Sequence, residues 1–247
     1  MQSPSDFPNG RAAVYHDNSC HGEDAYVTRE LPQQIVLDAV LDGATGRGGA
    51  DASAFAADML RGARLDTLDE LTNLLDLANK RLFQRGKGRF FLTTVAVALK
   101  IGASLHVVSV GDSTVFLIRG RDIVPLTLTT IGPTVLDVSN GLGRRETLSY
   151  KTTCVTLSLQ DRLVLATDGL IENVGPSELA ALVGDVPSPE EAVAALRQLL
   201  CDRKRANRGR VNDGSEFRHD DVTAIIRYIG LDPFPEASGL PPNSQIV

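Results

Sequence analysis

Short apolar runs rich in β-branched residues recur along the chain at intervals mostly too small for a crossover helix. QIVLDAVL (34–41), LTTVAVALKI (92–101), SLHVVSV (104–110), TVFLIRG (114–120), CVTLSL (154–159), RLVLAT (162–167) and VTAIIRYI (222–229) predict strands. Turns of two or three residues, Gly102-Ala103, Gly111-Asp112-Ser113 and Gln160-Asp161, join several of them, so most neighbours must be antiparallel. Two pairs of segments switch to a helical period. ASAFAADMLRGARL (52–65) is followed by TLDELTNLLDLANKRLF (67–83), where Thr67 and Glu70 read as a capping box and Leu68, Leu71, Leu75, Ala78 and Leu82 share a face. SELAALV and SPEEAVAALRQLL start at Ser177 and Ser188, the second with Pro189 in its first turn and Glu191 three residues after the cap. Runs of strands broken by helix pairs predict an α+β protein with sheets inside and helices on their outer faces.

Composition adds bounds. With 247 residues, 43% of them hydrophobic, the chain can bury the core of one large domain, expected over residues 1–230. LDPFPEASGLPPNSQIV (231–247) has four prolines and no period and reads as an extended tail. A formal charge of −6 argues against a nucleic-acid partner, and the basic stretch RKRANRGR (203–210) reads as a solvated loop. Cys20, Cys154 and Cys201 are odd in number and lack a CxxC partner, which suits reduced thiols in a cytoplasmic protein. Neither an apolar leader nor a bilayer-length run is present, so neither a signal peptide nor a membrane span is expected.

Carboxylates collect where strands end. Glu23-Asp24 precede the strand-like AYV, Asp42 ends a strand, Asp112 follows SV in a turn, Asp168 ends RLVLAT, and Asp220-Asp221 begin VTAII. A single Asp at such a place is ordinarily a turn former or a cap. Five sites at the ends of antiparallel strands would meet at one edge, where unpaired carboxylates repel and cations relieve them. Oxygen donors select hard ions such as Mn²⁺ or Mg²⁺, and the four scattered histidines give zinc little support. Two such ions about 3.5–4 Å apart could clamp a phosphoryl group and activate water for in-line attack. In VLDGATGRGGADAS (40–53), Asp42 would then bind metal and Gly43 would let its carbonyl approach an ion or its water.

Five blocks in order, GEDAY, VLDGATGRGGADAS, LTTVAVAL, SVGDSTVFLIRGRDIVPLT, and RLVLATDGLIENV with DDVTAII, resemble the type 2C (PPM) metal-dependent Ser/Thr protein phosphatases across residues 22–229. The GED opening and the DDVT pair look like the branch whose members begin GEDA. The resemblance implies a four-layer α-β-β-α sandwich of two mainly antiparallel sheets with a metal cluster at one end. It implies that Asp42 bridges two Mn²⁺ or Mg²⁺ ions, Gly43 offers its carbonyl, and Asp168 and Asp220 bind the first ion. Glu23, with Asp24 nearby, would hold waters on the second, and Asp112 would serve a weaker third site. Phosphate would leave phosphoserine or phosphothreonine in a phosphorylated protein by attack of metal-bound water, in a monomer with no membrane partner.

The chain also departs from that pattern. Many members carry an Arg four residues before the first-motif Glu, where this chain has Ser19, and a His directly after the DG pair, where it has Ala44. His21 and His219 are candidate proton donors in its place, and Arg47 is a candidate phosphate contact. Residues 128–153 leave room for only a small flap, which would open the cleft to bulky substrates. Beside the phosphatase reading stand a non-catalytic relative that binds metal or a phosphorylated partner as a regulatory module, and a scaffold whose acids are only turn residues.

Overall fold

The computed structural model describes residues 7–127, 140–207 and 217–230. The first half of the expected small flap (128–139), the end of the basic stretch (208–210) and the tail (231–247) lie outside the described residues. In chain order the strands are β1 (Arg11–Asp17), β2 (Ala25–Leu31), β3 (Ile35–Leu41), β4 (Val95–Ile101), β5 (Ser104–Val110), β6 (Thr114–Arg119), β7 (Asp122–Pro125), β8 (Lys151–Thr156), β9 (Arg162–Ala166) and β10 (Val222–Tyr228). The helices are α1 (Gly49–Gly62), α2 (Leu68–Gly86), α3 (Asp168–Ile171), α4 (Pro176–Gly184) and α5 (Pro189–Ala206).

The strands form two five-stranded sheets, ordered β1-β10-β9-β6-β7 and β2-β3-β4-β5-β8, and every pairing is antiparallel. Three apolar layers hold the α-β-β-α stack together. Leu37, Leu41, Val97 and Leu99 of the second sheet meet Ala56, Leu60, Leu71 and Leu75 of α1 and α2. Phe116, Val164 and Ile226 on the outer face of the first sheet meet Leu170, Leu179, Leu196 and Leu200 of α3, α4 and α5. Between the sheets, Val40, Ala96, Ala98 and Val107 pack against Val115, Leu163, Leu165 and Ile225. Strands buried on both faces lose the period-2 signal, which is why β3 and β4 read as continuous apolar runs.

The Thr67–Glu70 capping box is present at α2, and the Ser188 side chain accepts from the Glu191 N–H at α5. Ser177 is not a cap: Gly175 takes that place at α4 and Pro176 supplies the first turn, where a missing N–H costs nothing. The chain also contains strands that its apolar pattern hides. β1 is an edge strand with only Tyr15 fully buried, and β7 is four residues long at the opposite edge. β8 starts at Lys151, earlier than the expected Cys154, because an edge strand pairs through its backbone and the β-branched Thr152 and Thr153 suffice. Leu157 then leaves the strand to join the layer between the sheets.

One charged pair crosses that apolar layer. Arg227 of β10 donates from Nε to Asp38 Oδ2 at 2.6 Å and from Nη2 to Asp38 Oδ1 at 2.9 Å, linking the first sheet to β3 of the second. Both side chains are buried, and Arg227 also donates to the Thr28 hydroxyl and the Asn9 carbonyl. A second polar anchor is Asn79, buried in α2, which donates to the Arg145 and Glu146 carbonyls and accepts from Gly143 N–H. It ties the described part of the 140–150 connection to the helix.

Breaking the buried pair leaves one charge desolvated and alone. Arg227→Ala should lower unfolding stability by about 3–5 kcal/mol in chemical denaturation, whereas replacing both partners with apolar residues of similar volume should recover most of the loss.

Candidate functional site

Strand register brings the acids together. Ala25 pairs with Leu41, so Asp24, just before β2, and Asp42, just after β3, flank the same end of one sheet. Val95 pairs with Val110, which brings Asp112 to that end too. In the other sheet Ala166 pairs with both Thr114 and Ala224, setting Asp168 beyond β9 near the start of β10, where Asp220 and Asp221 lie. Acids from five separated segments thus share one edge of the sandwich.

Two glycines let the backbones close up. A Cβ on Gly43 would sit 2.3 Å from the Gly49 backbone, and one on Gly169 would sit 2.1 Å from the Asp221 carbonyl oxygen. Gly43 is therefore required by the packing of α1 against the Asp42 turn, a stronger reason than the expected reach of its carbonyl toward an ion. Gly169 lets the Asp168 turn rest on the Asp220-Asp221 backbone. Asp42 is fixed further by threonines that the acid pattern does not single out. Its N–H donates to Thr94 Oγ1 at 3.1 Å, its carbonyl accepts from Thr93 Oγ1 at 2.8 Å, and Thr94 Oγ1 shares a proton with Ser113 Oγ at 2.7 Å.

In each acid doublet one member does structural work. Asp24 is buried, and its Oδ2 accepts from Thr167 Oγ1 at 2.9 Å and Thr223 Oγ1 at 2.7 Å, tying the start of β2 to the opposite sheet. Through Oδ2, Asp24 thus forms a cross-sheet tie. Asp221, to which the sequence pattern assigns no role, accepts the backbone N–H groups of Cys20, His21 and Glu23 at 2.8–3.0 Å. Burial pushes its carboxyl up, but these N–H groups, with that of Gly22, outweigh burial and hold it below the usual range. The loop bearing Glu23 is thereby wrapped around Asp221. The DDVT motif carries the signal for this residue, although only its first acid reads as a ligand.

The doublet partners of these two acids differ: Asp220 acts on both Asp42 and Asp168. Glu23 Oε2 is buried with no hydrogen-bond partner among the described residues. Asp42 and Asp168 are both pushed well above the carboxylate range, first by burial and then by other acids. Asp168, Asp24, Asp112 and Asp220 act on Asp42, while Asp112, Asp220 and Glu172 act on Asp168. Asp24 rises to about 7, again through burial first. Glu172, which the acid pattern does not include, also accepts from Arg218.

The remaining candidates divide. His21 Nδ1 lies 3.2 Å from Asp220 Oδ1, so it joins the cluster. His219 packs edge-on against Phe217, with ring centroids 5.3 Å apart. Arg47, exposed in its turn, forms no ion pair with the acids among the described residues: its Nη1 donates to the Arg89 carbonyl at 3.2 Å. Its place in the glycine turn makes a phosphate contact look feasible in the sequence, and the contact with Arg89 comes from a segment 42 residues away.

The donor set fits hard divalent ions. The acids at the edge offer only oxygen donors, they act on Asp42 and Asp168 with like charge, and Glu23 has an unpartnered buried oxygen. Among the described residues no three His, Cys, Asp or Glu side chains already form a cage for one ion. Mg²⁺-like ions retain several waters and need only one or two carboxylates each, so an open arrangement suits them.

The chain also has relatives. A family model described as Stage II sporulation protein E (SpoIIE) matches residues 44–228, a span that leaves the GEDAY motif outside it. No curated protein sequence matches the chain. The fold is similar to that of serine/threonine phosphatase Stp1 from Staphylococcus aureus, at 23% identity over 89% of this chain and 95% of that one, with a TM-score of 0.74. PppA from Pseudomonas aeruginosa, described as a key regulatory component of T6SS, matches at 22% identity over 90% and 99%, with a TM-score of 0.74. The catalytic domain of the serine/threonine phosphatase PstP, in complex with two manganese ions, matches at 22% identity over 89% and 98%, with a TM-score of 0.69.

Raised carboxyls make metal-free stability depend on pH. Asp24, Asp42 and Asp168 hold protons in the folded chain that they release when unfolded, so the folded state binds more protons above about pH 4. Their contribution is complete below that value and is lost as pH climbs through about 7 and beyond. In chelator, the unfolding midpoint should therefore fall between about pH 5 and about pH 8, and Asp42→Asn should flatten the decline.

Proposed function

Because the chain belongs to the SpoIIE family, and so to the type 2C metal-dependent phosphatases, we propose that it hydrolyses phosphoserine or phosphothreonine in proteins at a binuclear Mn²⁺ or Mg²⁺ centre. One observation carries this reading: acids from separated segments meet at a single edge of the sandwich, where Asp112 and Asp220 act on both Asp42 and Asp168, and Asp168 acts on Asp42. Such repulsion is costly in a fold that gains nothing from it, and divalent cations are its chemical remedy.

Asp42 would bridge the ions, with Asp168 and Asp220 on one, Glu23 Oε2 and the Gly43 carbonyl toward the other, and Asp112 toward a third. Bound ions would supply Lewis acidity toward phosphoryl oxygens and a water acidic enough to attack at neutral pH. Asp221 holds the Glu23 loop in place through its N–H contacts, and Asp24 keeps the two sheets in register at the edge. His21, oriented through Nδ1 by Asp220, is the group suited to pass a proton to the departing serine or threonine oxygen. We read residues 1–230 as the catalytic domain of a cytoplasmic monomer of the GEDA-opening branch. No described helix is long and apolar enough to cross a membrane.

With Mn²⁺ the chain should hydrolyse p-nitrophenyl phosphate and a phosphothreonine peptide, and EDTA should abolish both activities. Asp168→Asn should reduce turnover by at least about a hundredfold, in line with the several kcal/mol that metal-held charge contributes. Turnover that survives EDTA would overturn the proposal. Calorimetric Mn²⁺ binding without turnover would identify a non-catalytic binding module instead.

A further inference from the structure

A phosphomonoester carries nearly two negative charges at neutral pH, so a cation at the rim of the acid edge would assist its capture alongside ions bound within it. The groups acting most strongly on Asp42 and Asp168 are carboxylates, Arg47 is engaged with Arg89, and Arg218 with Glu172.

A cavity of about 180 Å³ opens beside Asp220, between β1, the start of β10 and the last turns of α5. Asp17, Ser19, Cys20, Lys204, His219 and Asp220 line it. Three consecutive cations end α5, and they are used differently. Arg203 donates to both oxygens of Glu178 at 2.6 Å, and Arg205 lies 3.5 Å from Asp202. Lys204 forms no ion pair among the described residues and faces the cavity. Its charge reaches the acid loop: the Cys20 thiol is raised by burial and by Asp220 and Asp221, and Lys204 acts there in the opposite sense. Asp17 is occupied in accepting the Ser19 N–H at 3.1 Å, and the short Ser19 side chain leaves the space open.

We propose that this cavity is a phosphate-binding subsite at the entrance to the acid edge, in which the Lys204 ammonium binds the phosphoryl group of a phosphorylated peptide beside Asp220. The inference rests on the phosphatase reading for the hydrolysis that comes after capture. A lysine suits the task because its compact ammonium turns on a flexible stem and can follow the phosphate inward. As a binding group at the rim, it acts on capture more than on the chemical step.

The test uses the full chain with saturating Mn²⁺, comparing Lys204→Met, Lys204→Arg and Arg205→Ala. For Lys204→Met, KM for a phosphothreonine peptide and Ki for inorganic phosphate should rise about tenfold, with kcat changed less than about twofold, the pattern of lost uniform binding. Lys204→Arg should restore both constants, Arg205→Ala should leave them unchanged, and calorimetric Mn²⁺ affinity should be the same in all. Unchanged KM and Ki in Lys204→Met, or a parallel loss of Mn²⁺ affinity, would overturn the inference. If the wild-type chain shows no turnover, the catalytic reading fails alone. Calorimetry of the phosphothreonine peptide on the Mn²⁺-loaded chain then decides the subsite: binding about tenfold weaker in Lys204→Met upholds it, and equal binding or no wild-type binding refutes it.

Discussion

Repulsion among desolvated carboxylates is the constraint around which this molecule is organised. Asp112 and Asp220 raise the proton affinity of both Asp42 and Asp168, and Asp168 raises that of Asp42, so these groups would separate if their backbones were free to move. Backbone closeness prevents it. The Gly43–Gly49 and Gly169–Asp221 contacts leave no space for even one added carbon, and the paired registers of β3, β5, β9 and β10 fix where each acid emerges. The fold thus holds strain of one sign at one edge, which is what a site for cations of opposite sign requires.

That edge survives because the sheets are fastened to each other by polar ties as well as by the apolar layer between them. Asp24 joins the start of β2 to Thr167 and Thr223 near the acids. The Asp38–Arg227 pair joins β3 to β10 within the layer. Apolar layers are tolerant of sliding, whereas a bidentate guanidinium–carboxylate pair has one good geometry. These ties set the relative position of two sheets that contribute different acids to one site.

Neighbouring acids have taken opposite tasks for a reason of direction. Successive residues entering a strand point to opposite sides. Asp220 acts on Asp42 and Asp168, whereas Asp24 and Asp221, the second members of their doublets, are buried and must find donors. Asp24 finds threonine hydroxyls and Asp221 finds backbone N–H groups. Cations are distributed with the same economy: Arg203, Arg205 and Arg218 are committed to nearby carboxylates, which leaves Lys204 facing the cavity beside Asp220.

Local chemistry was enough to determine much of this from the sequence. The period and β-branched content of SLHVVSV, the Thr67–Glu70 cap and the short turns between runs are properties of adjacent residues, and they specified antiparallel strands and most helix starts. The acids at strand ends were legible because antiparallel pairing gathers ends. Tertiary structure alone decided the rest, since it depends on residues far apart in the chain. β1 and β7 are held by their neighbours rather than by their own pattern. Arg47 is captured by a carbonyl 42 residues away, and Asp221 by a loop some 200 residues earlier. Whether an acid faces ions or holds a backbone is set by which donors surround it, and no spacing along the chain encodes that surrounding.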